Sequence, residues 1–187
     1  MFRKALFILF IFIIVASATL YLRYLTAPRY SFLKAKNAVV DKDLKTFLKF
    51  TAIEELAASI VFIIKENISY LPAGTISRET EEALDKDEGR LKKIIKKDIE
   101  EYVSGRESRK STNLFYPYFD RDSFFKGILY EKERNDRVII GVRFLVKEKN
   151  TQIICDFIME RKGLFWVMRG IEGVWEARRR LFKEFRE

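Results

Sequence analysis

The side chains that most often perform catalysis or bind metals are scarce in this chain of 187 residues. It contains no histidine and a single cysteine, Cys155. Histidine-based catalytic triads, Cys–His pairs, histidine-ligated metals and cysteine-based zinc sites are therefore excluded, as is a disulfide framework. Cys155 lies between Ile153 and Phe157 on the apolar side of a predicted strand, so we expect an inert, buried thiol.

Carboxylates and tyrosines remain as candidate acids and bases. Asp120 and Asp122 are too few for a calcium loop and lack its glycine, so a turn or a cap is their simpler role. A catalytic carboxylate has to project into a cavity, and the strand positions predicted to face inward are apolar. We therefore expect a non-catalytic protein that has no cofactor and no metal site.

The composition favours a folded domain and argues against nucleic-acid binding. The chain is 48% apolar and 14% aromatic with only three prolines, which excludes a disordered or low-complexity chain. Its 36 basic and 27 acidic residues give a net charge of +9. The basic residues are spread among acidic ones and no recognition motif is present, so no nucleic-acid partner is expected. The basic clusters 90–97 and 178–180 fit either solvated helix faces or contacts with anionic headgroups.

The N-terminal segment predicts a membrane helix. Eighteen uncharged residues, Ala5–Leu22, follow Arg3 and Lys4 and precede Arg23. As a helix they span about 27 Å, close to the thickness of about 30 Å of a bilayer hydrocarbon core. We expect the membrane to be a partner of the chain through this segment, as a transmembrane helix or signal anchor.

The predicted organisation is that of a single-pass protein of the inner (plasma) membrane. Residues 1–4 form a cytoplasmic N-terminus, 5–22 the membrane helix, and 23–187 an extracytoplasmic domain. The charges on the two sides nearly balance, so this orientation rests on the short basic start and the large C-terminal domain. Cleavage after Ala18 is an alternative, because Ala16-Ser17-Ala18 resembles a signal-peptidase site.

Periodicity predicts an α+β domain: three helices packed on a curved antiparallel sheet of about four strands, followed by a C-terminal helix. Thr51 and Glu54 form a capping-box pattern, and Ser77 is the predicted cap of the third helix. The predicted helices cover residues 30–40, 44–48 (a short turn), 51–68, 77–103 and 175–185, and the predicted strands lie around residues 127–131, 138–146, 153–159 and 164–168.

The two faces of the sheet carry the candidate sites. Two-residue turns at 149–150 and 162–163 predict that Phe144 faces Cys155 and that Met159 faces Trp166. The apolar inner face then supplies a candidate cavity lining of Val142, Phe144, Phe157 and Trp166. The outer face has Ile139, Ile158 and Val167 around a predicted Arg143–Asp156–Arg169 stripe. This outer face predicts an interface, whereas the alternative is a partly exposed sheet with ordinary cross-strand ion pairs.

Two short stretches resemble the nuclear transport factor two-like (SnoaL/ketosteroid isomerase-like) superfamily. They are residues 38–48, AVVDKDLKTFL, and residues 163–171, GLFWVMRGI. The membrane segment followed by Ala27-Pro-Arg-Tyr30 is similar, more narrowly, to bacterial membrane-anchored proteins of unknown function. The resemblance implies a cone-shaped domain with helices against a curved sheet. It transfers no activity, because this superfamily contains enzymes, binders and scaffolds alike.

Together these features predict a single-pass, membrane-anchored, non-catalytic interaction or scaffold domain. Its expected partner is a second copy of the chain or another envelope protein. One alternative is a binder of a small apolar ligand in the cone. Another, by analogy with type IV secretion machines that pair one anchor with a similar domain, is an assembly component.

Overall fold

A computed structural model describes residues 2–67, 82–84, 87–106, 125–146 and 151–172, and within these residues the chain is α+β. The sheet has four antiparallel strands in the order β1-β2-β3-β4. The helices are α1 (Phe2–Leu25), α2 (Pro28–Val40), α3 (Leu44–Lys49), α4 (Ile53–Asn67) and α5 (Glu88–Val103), with a short helical stretch at 82–84, and the strands are β1 (Phe125–Arg134), β2 (Arg137–Val146), β3 (Thr151–Lys162) and β4 (Phe165–Glu172). The predicted α+β class and the four antiparallel strands are confirmed. The predicted C-terminal helix, the residues Asp120 and Asp122, and the basic cluster 178–180 lie outside the described residues.

Local sequence signals set the ends of α2 and α3. Pro28 occupies the first turn of α2, where its missing N–H costs no hydrogen bond, so it begins a helix. The break predicted at Asp41–Asp43 is confirmed, because Lys42 has a positive φ of 57°. Asp43 then caps α3 by accepting a hydrogen bond of 2.9 Å from the Thr46 N–H.

One predicted helix start is wrong and one predicted helix is interrupted, while Ser77, the predicted cap of the interrupted helix, lies outside the described residues. Thr51 does not cap α4, which begins at Ile53; it forms a parallel bridge with Met168 of β4. The buried Thr51 hydroxyl has no hydrogen-bond partner within the described part of the chain. The predicted helix 77–103 is interrupted, because the backbone at Asp87 is extended and its carboxylate caps α5 through the Arg90 N–H at 3.1 Å.

The helical layer covers the edge of β4 that does not pair with β3. Residues 50–52 lie beside this strand, and the Ala52 N–H donates to the Met168 carbonyl at 2.9 Å. Three N–H groups of β4 also donate to helical-layer oxygens: Trp166 to Ser31 Oγ (3.1 Å), Met168 to the Phe50 carbonyl (2.9 Å) and Ile171 to Ser59 Oγ (3.3 Å). Sheet and helices are therefore joined by hydrogen bonds as well as by apolar contacts.

The core lies between the inner face of the sheet and helices α2, α4 and α5. Leu91, Ile95, Ile99 and Val103 of α5 are buried, and their spacing of four residues places them in one apolar stripe. On the sheet, the inner side chains of β2 and β3 are buried in the alternating pattern that the sequence predicts: Val138, Ile140, Val142, Phe144, Cys155, Phe157 and Met159.

Candidate functional site: the outer face of the sheet

The pairing of the strands decides which side chains meet on the outer face, and it differs from the prediction by two residues. Val142 lies opposite Cys155, and Met159 lies opposite Met168. The β3–β4 turn is Gly163–Leu164, with Lys162 opposite Phe165. Gly163 has a positive φ of 64°, which glycine adopts at no steric cost, and this places it first in the turn. A shift of two residues leaves every side chain on its predicted face.

The predicted Arg143–Asp156–Arg169 stripe is wrong. Arg143 lies opposite Ile154, and Asp156 lies between Gly141 on β2 and Glu172 on β4. The pairing of β4 with β3 shifts its register between Ile158 and Met159. Because of this shift, Arg169 does not lie in line with Arg143 and Asp156. The three candidate residues are therefore not brought together.

Arg169 instead connects β4 to β3 and α4. Its guanidinium donates to the Glu160 carboxylate on β3 and, at 2.9 Å, to Glu55 on α4. The hydrogen bond from Arg169 holds the pKa of Glu55 below its ordinary value of 4.5. Since all three groups are partly exposed, we regard this network as a positioning contact of α4 rather than as a large contribution to stability.

The polar centre of the outer face is a contact that spans three strands. The ring of Tyr130 on β1 lies across Gly141 on β2, and its hydroxyl donates to Asp156 Oδ1 on β3 at 2.5 Å. The ammonium group of Lys132 lies 4.6 Å from the centroid of the same ring. Tyr130 was not among the predicted site residues, although a glycine in the interior of a strand, such as Gly141, is a signal of close approach by another group.

This contact raises the pKa of Tyr130 to about 12, mainly because the phenol donates to Asp156. Because the folded pKa lies above the ordinary value of 10.0, the contact contributes stability below pH 10 and loses it as the pH rises towards 12. We expect the tyrosinate absorbance that disappears in Tyr130→Phe to titrate near pH 12. In Asp156→Asn the same absorbance should titrate closer to pH 10. A Tyr130 phenol that titrates near pH 10 in the wild-type protein would contradict the contact.

The apolar candidates of the outer face differ in exposure. Ile139 and Ile158 are half-buried, and Val167 is 8% exposed. Ile154, which shares this face, is exposed at 44%. Helix α4 lies beside β4, as the Glu55 and Ser59 hydrogen bonds show.

The candidate cavity residues divide into two places. Val142, Phe144 and Phe157 are buried in the core. Trp166 lies at the turn end of the sheet, opposite Arg161, and its indole N–H donates to the Thr26 carbonyl at 2.9 Å. The structure thus brings together three of the four residues and assigns Trp166 to the junction between α1 and the domain.

Other charged groups in the described ranges contact each other. Lys92 and Lys96 of the basic cluster 90–97 pair with Glu54 of α4, at 3.4 and 2.5 Å. The hydrogen bond from Lys96 lowers the pKa of Glu54. This favours a role inside the molecule for these two lysines. No group of three or more Asp, Glu or Cys side chains in the described segments is close enough to hold a metal ion.

Helix α1 is a second candidate surface. Its large apolar side chains, from Leu6 to Tyr24, are exposed wherever the structure describes them. No helix among the described residues is by itself long and apolar enough to cross a bilayer. The pair Leu9–Leu25 and Pro28–Val40, which meet at an angle of 59°, satisfies both conditions together.

Comparisons with known proteins do not assign this chain to a family. No protein-family model, no curated protein and no solved structure matches it.

Proposed function

We propose that the protein is a membrane-anchored, non-catalytic interaction or scaffold domain, held at the inner (plasma) membrane by α1. The observation that carries the proposal is the exposure of apolar side chains around α1. Phe7, Phe12 and Leu20 are each at least 65% exposed, and no charge interrupts Ala5–Leu22. Exposing so large an apolar surface to water is unfavourable, whereas the same surface is favourable in contact with lipid chains.

The length of the segment is compatible with insertion. Eighteen residues rise by about 27 Å, which is about 3 Å less than a typical hydrocarbon core. Local thinning of the bilayer and the reach of flanking charged side chains compensate for a mismatch of this size. Arg23 and the two tyrosines beside it, Tyr21 and Tyr24, have the chemistry expected at the interface.

The connection between α1 and the domain supports a fixed display of that domain. Only Thr26 and Ala27 separate α1 from α2. The Thr26 hydroxyl donates back to the Leu22 carbonyl at 3.0 Å, while its own carbonyl accepts from Trp166. The rings of Tyr24 and Tyr30 meet edge-to-face at 5.4 Å. A domain that works by contact gains from such a junction, because its surface then has a defined height and orientation at the membrane.

The distribution of charge favours contact over chemistry. On the outer face the Asp156 carboxylate accepts from Tyr130, and Glu160 accepts from Arg169. Carboxylates occupied in this way are structural. We therefore propose an extracytoplasmic α+β domain of the nuclear transport factor two-like kind that binds a protein partner through its exposed surface.

Insertion of a charge into α1 tests the proposal. We expect the wild-type chain to stay with membranes through an alkaline carbonate wash, and Ile13→Arg to be released. An arginine at the centre of a membrane helix costs about 2.5–3.5 kcal/mol, which is on the order of a 100-fold change in the ratio of inserted to free chain. Phe62→Arg is the matched control, because Phe62 is 65% exposed on α4.

Two results would contradict the anchor. Release of the wild-type chain by carbonate would exclude stable insertion. An intact mass that begins after Ala18, in protein taken from its own membranes, would show that most of α1 is removed as a signal peptide.

A further inference from the structure

The β3–β4 hairpin turn carries an exposed apolar residue shortly after two basic ones. Leu164 is 69% exposed, the highest value among the large apolar side chains described outside the membrane segment. Phe62 follows at 65%. Arg161 and Lys162 precede it and are both exposed. We define the hairpin tip as residues 161–164.

The hairpin tip lies near the end of α1. Trp166, two residues after Leu164, donates to the Thr26 carbonyl at 2.9 Å. A run of aromatic contacts follows the same route: Tyr24–Tyr30 (5.4 Å), Tyr30–Phe50 (6.5 Å) and Phe50–Phe165 (5.7 Å). Phe165, the residue directly after the hairpin tip, is thus connected through aromatic contacts to Tyr24, which follows the apolar segment.

The distance from the bilayer core can be bounded. Thr26 follows Leu22 by four residues, which corresponds to about 6 Å along a helix. The headgroup layer on one side of a bilayer is about 5–8 Å thick. If α1 is inserted, Thr26 and the indole of Trp166 lie at headgroup depth, and the hairpin tip begins there.

The positive charge at this place has no acidic partner among the residues described. Arg161 Nε donates to the Gly163 carbonyl at 3.3 Å, and no ion pair joins Arg161, Lys162 or Lys49 to a described carboxylate. The ammonium group of Lys49 lies 4.9 Å from the centroid of the Phe165 ring. Glu160, which directly precedes Arg161 in the chain, is already occupied because it binds Arg169.

We propose that the hairpin tip is a second membrane contact, which docks on an anionic bilayer with Leu164 in the interface and Arg161 and Lys162 on lipid phosphates. The inference rests on the anchor proposed above. It adds that the domain contacts the membrane surface at the hairpin tip and does not project away from the membrane. An apolar residue that closely follows two basic ones suits this boundary, where apolar burial and attraction to anionic lipid act together.

A fluorescent label on the tip tests the proposal in the full chain. Leu164→Cys, labelled with an environment-sensitive dye, is reconstituted into vesicles of phosphatidylcholine with or without phosphatidylglycerol. Native Cys155 is 1% exposed, and burial raises its thiol pKa to about 12, so it should stay unlabelled. We expect a blue-shifted, brighter emission in the anionic vesicles, and a weaker, less shifted emission in the neutral ones.

Charge reversal supplies the matched comparison. Each basic residue near an anionic surface contributes about fivefold to the ratio of docked to free tip. Adding Lys162→Glu to the labelled chain should lower that ratio by at least fivefold, and adding both Arg161→Glu and Lys162→Glu by about 25-fold or more. Lys93→Glu on the exposed side of α5 makes the same change in net charge and should leave the ratio unchanged.

Labels at two other positions separate this inference from the anchor. A dye at Phe12→Cys reports α1, and a dye at Phe62→Cys reports a part of the domain that should stay in water. A lipid-like signal at position 12 with a water-like signal at 164 in anionic vesicles would overturn the docking while the anchor stands. A water-like signal at position 12 would overturn both. Equal docking in neutral vesicles, or an equal loss with Lys93→Glu, would overturn the role of Arg161 and Lys162.

Discussion

Replacing Phe157 by alanine is expected to lower the free energy of unfolding by about 3–5 kcal/mol. Phe157 is 1% exposed and lies between Ile140 on β2 and Ile171 on β4. Its ring centroid is 4.9 Å from that of Phe32 on α2 and 6.2 Å from that of Phe144. The deletion therefore leaves a cavity where helix and sheet meet. Urea unfolding of the detergent-solubilised chain, followed by tryptophan fluorescence, measures the loss.

The matched control is Phe62→Ala, which removes the same atoms from a side chain that is 65% exposed. We expect it to change the free energy of unfolding by no more than about 0.5 kcal/mol. The pair also tests the alternative function. If Phe157 lined an open cavity for an apolar ligand, its removal would cost less than about 1 kcal/mol and the two variants would behave alike.

The second large effect is expected from Gly141→Val, with a loss of about 2.5–6 kcal/mol in the free energy of unfolding. A Cβ at position 141 would overlap with the ring of Tyr130, so that ring has to leave the sheet. The variant then combines crowding, about 1–3 kcal/mol, with loss of the hydrogen bond to Asp156, about 1.5–3 kcal/mol for a charged acceptor. Urea unfolding measures this loss too.

A double-mutant cycle isolates the cause. Tyr130→Ala removes the ring with which valine overlaps, so the double variant should lose clearly less than the sum of the two single variants. Losses that add within about 0.5 kcal/mol would show that the ring does not lie on Gly141. An effect of the glycine on strand formation alone would give that additive result.

Alternation of apolar residues was sufficient to predict the strands and their faces. It was insufficient for the pairing, because two registers that differ by two residues bury the same side chains. The turn decides between them, and Gly163 is compatible with the first or the second turn position. The predicted β4 partner of Asp156 was wrong because of this turn and of the register shift between Ile158 and Met159, whereas the place of Asp156 on the outer face was correct.

Where local patterns failed, tertiary contacts decided the structure. Thr51 and Glu54 have the spacing of a capping box, but the backbone of residues 50–52 is bound to β4 and Thr51 is drawn into the core. Tyr130 and Asp156 are separated by 26 residues, and only the fold brings them together across Gly141. Such pairs depend on register and bulges, which a single sequence does not specify. The strand glycine was the available clue.

The hydrogen bonds along β4 also determine what happens when the helical layer is lost. Ser31, Phe50 and Ser59 occupy N–H groups that would otherwise be free at the rim of the sheet. A fragment lacking residues 28–67 would present this rim, together with an uncovered apolar inner face, as a template for strands of other molecules. We therefore expect proteolysis within α2 or α4 to turn the folded domain into a seed for β-sheet aggregation.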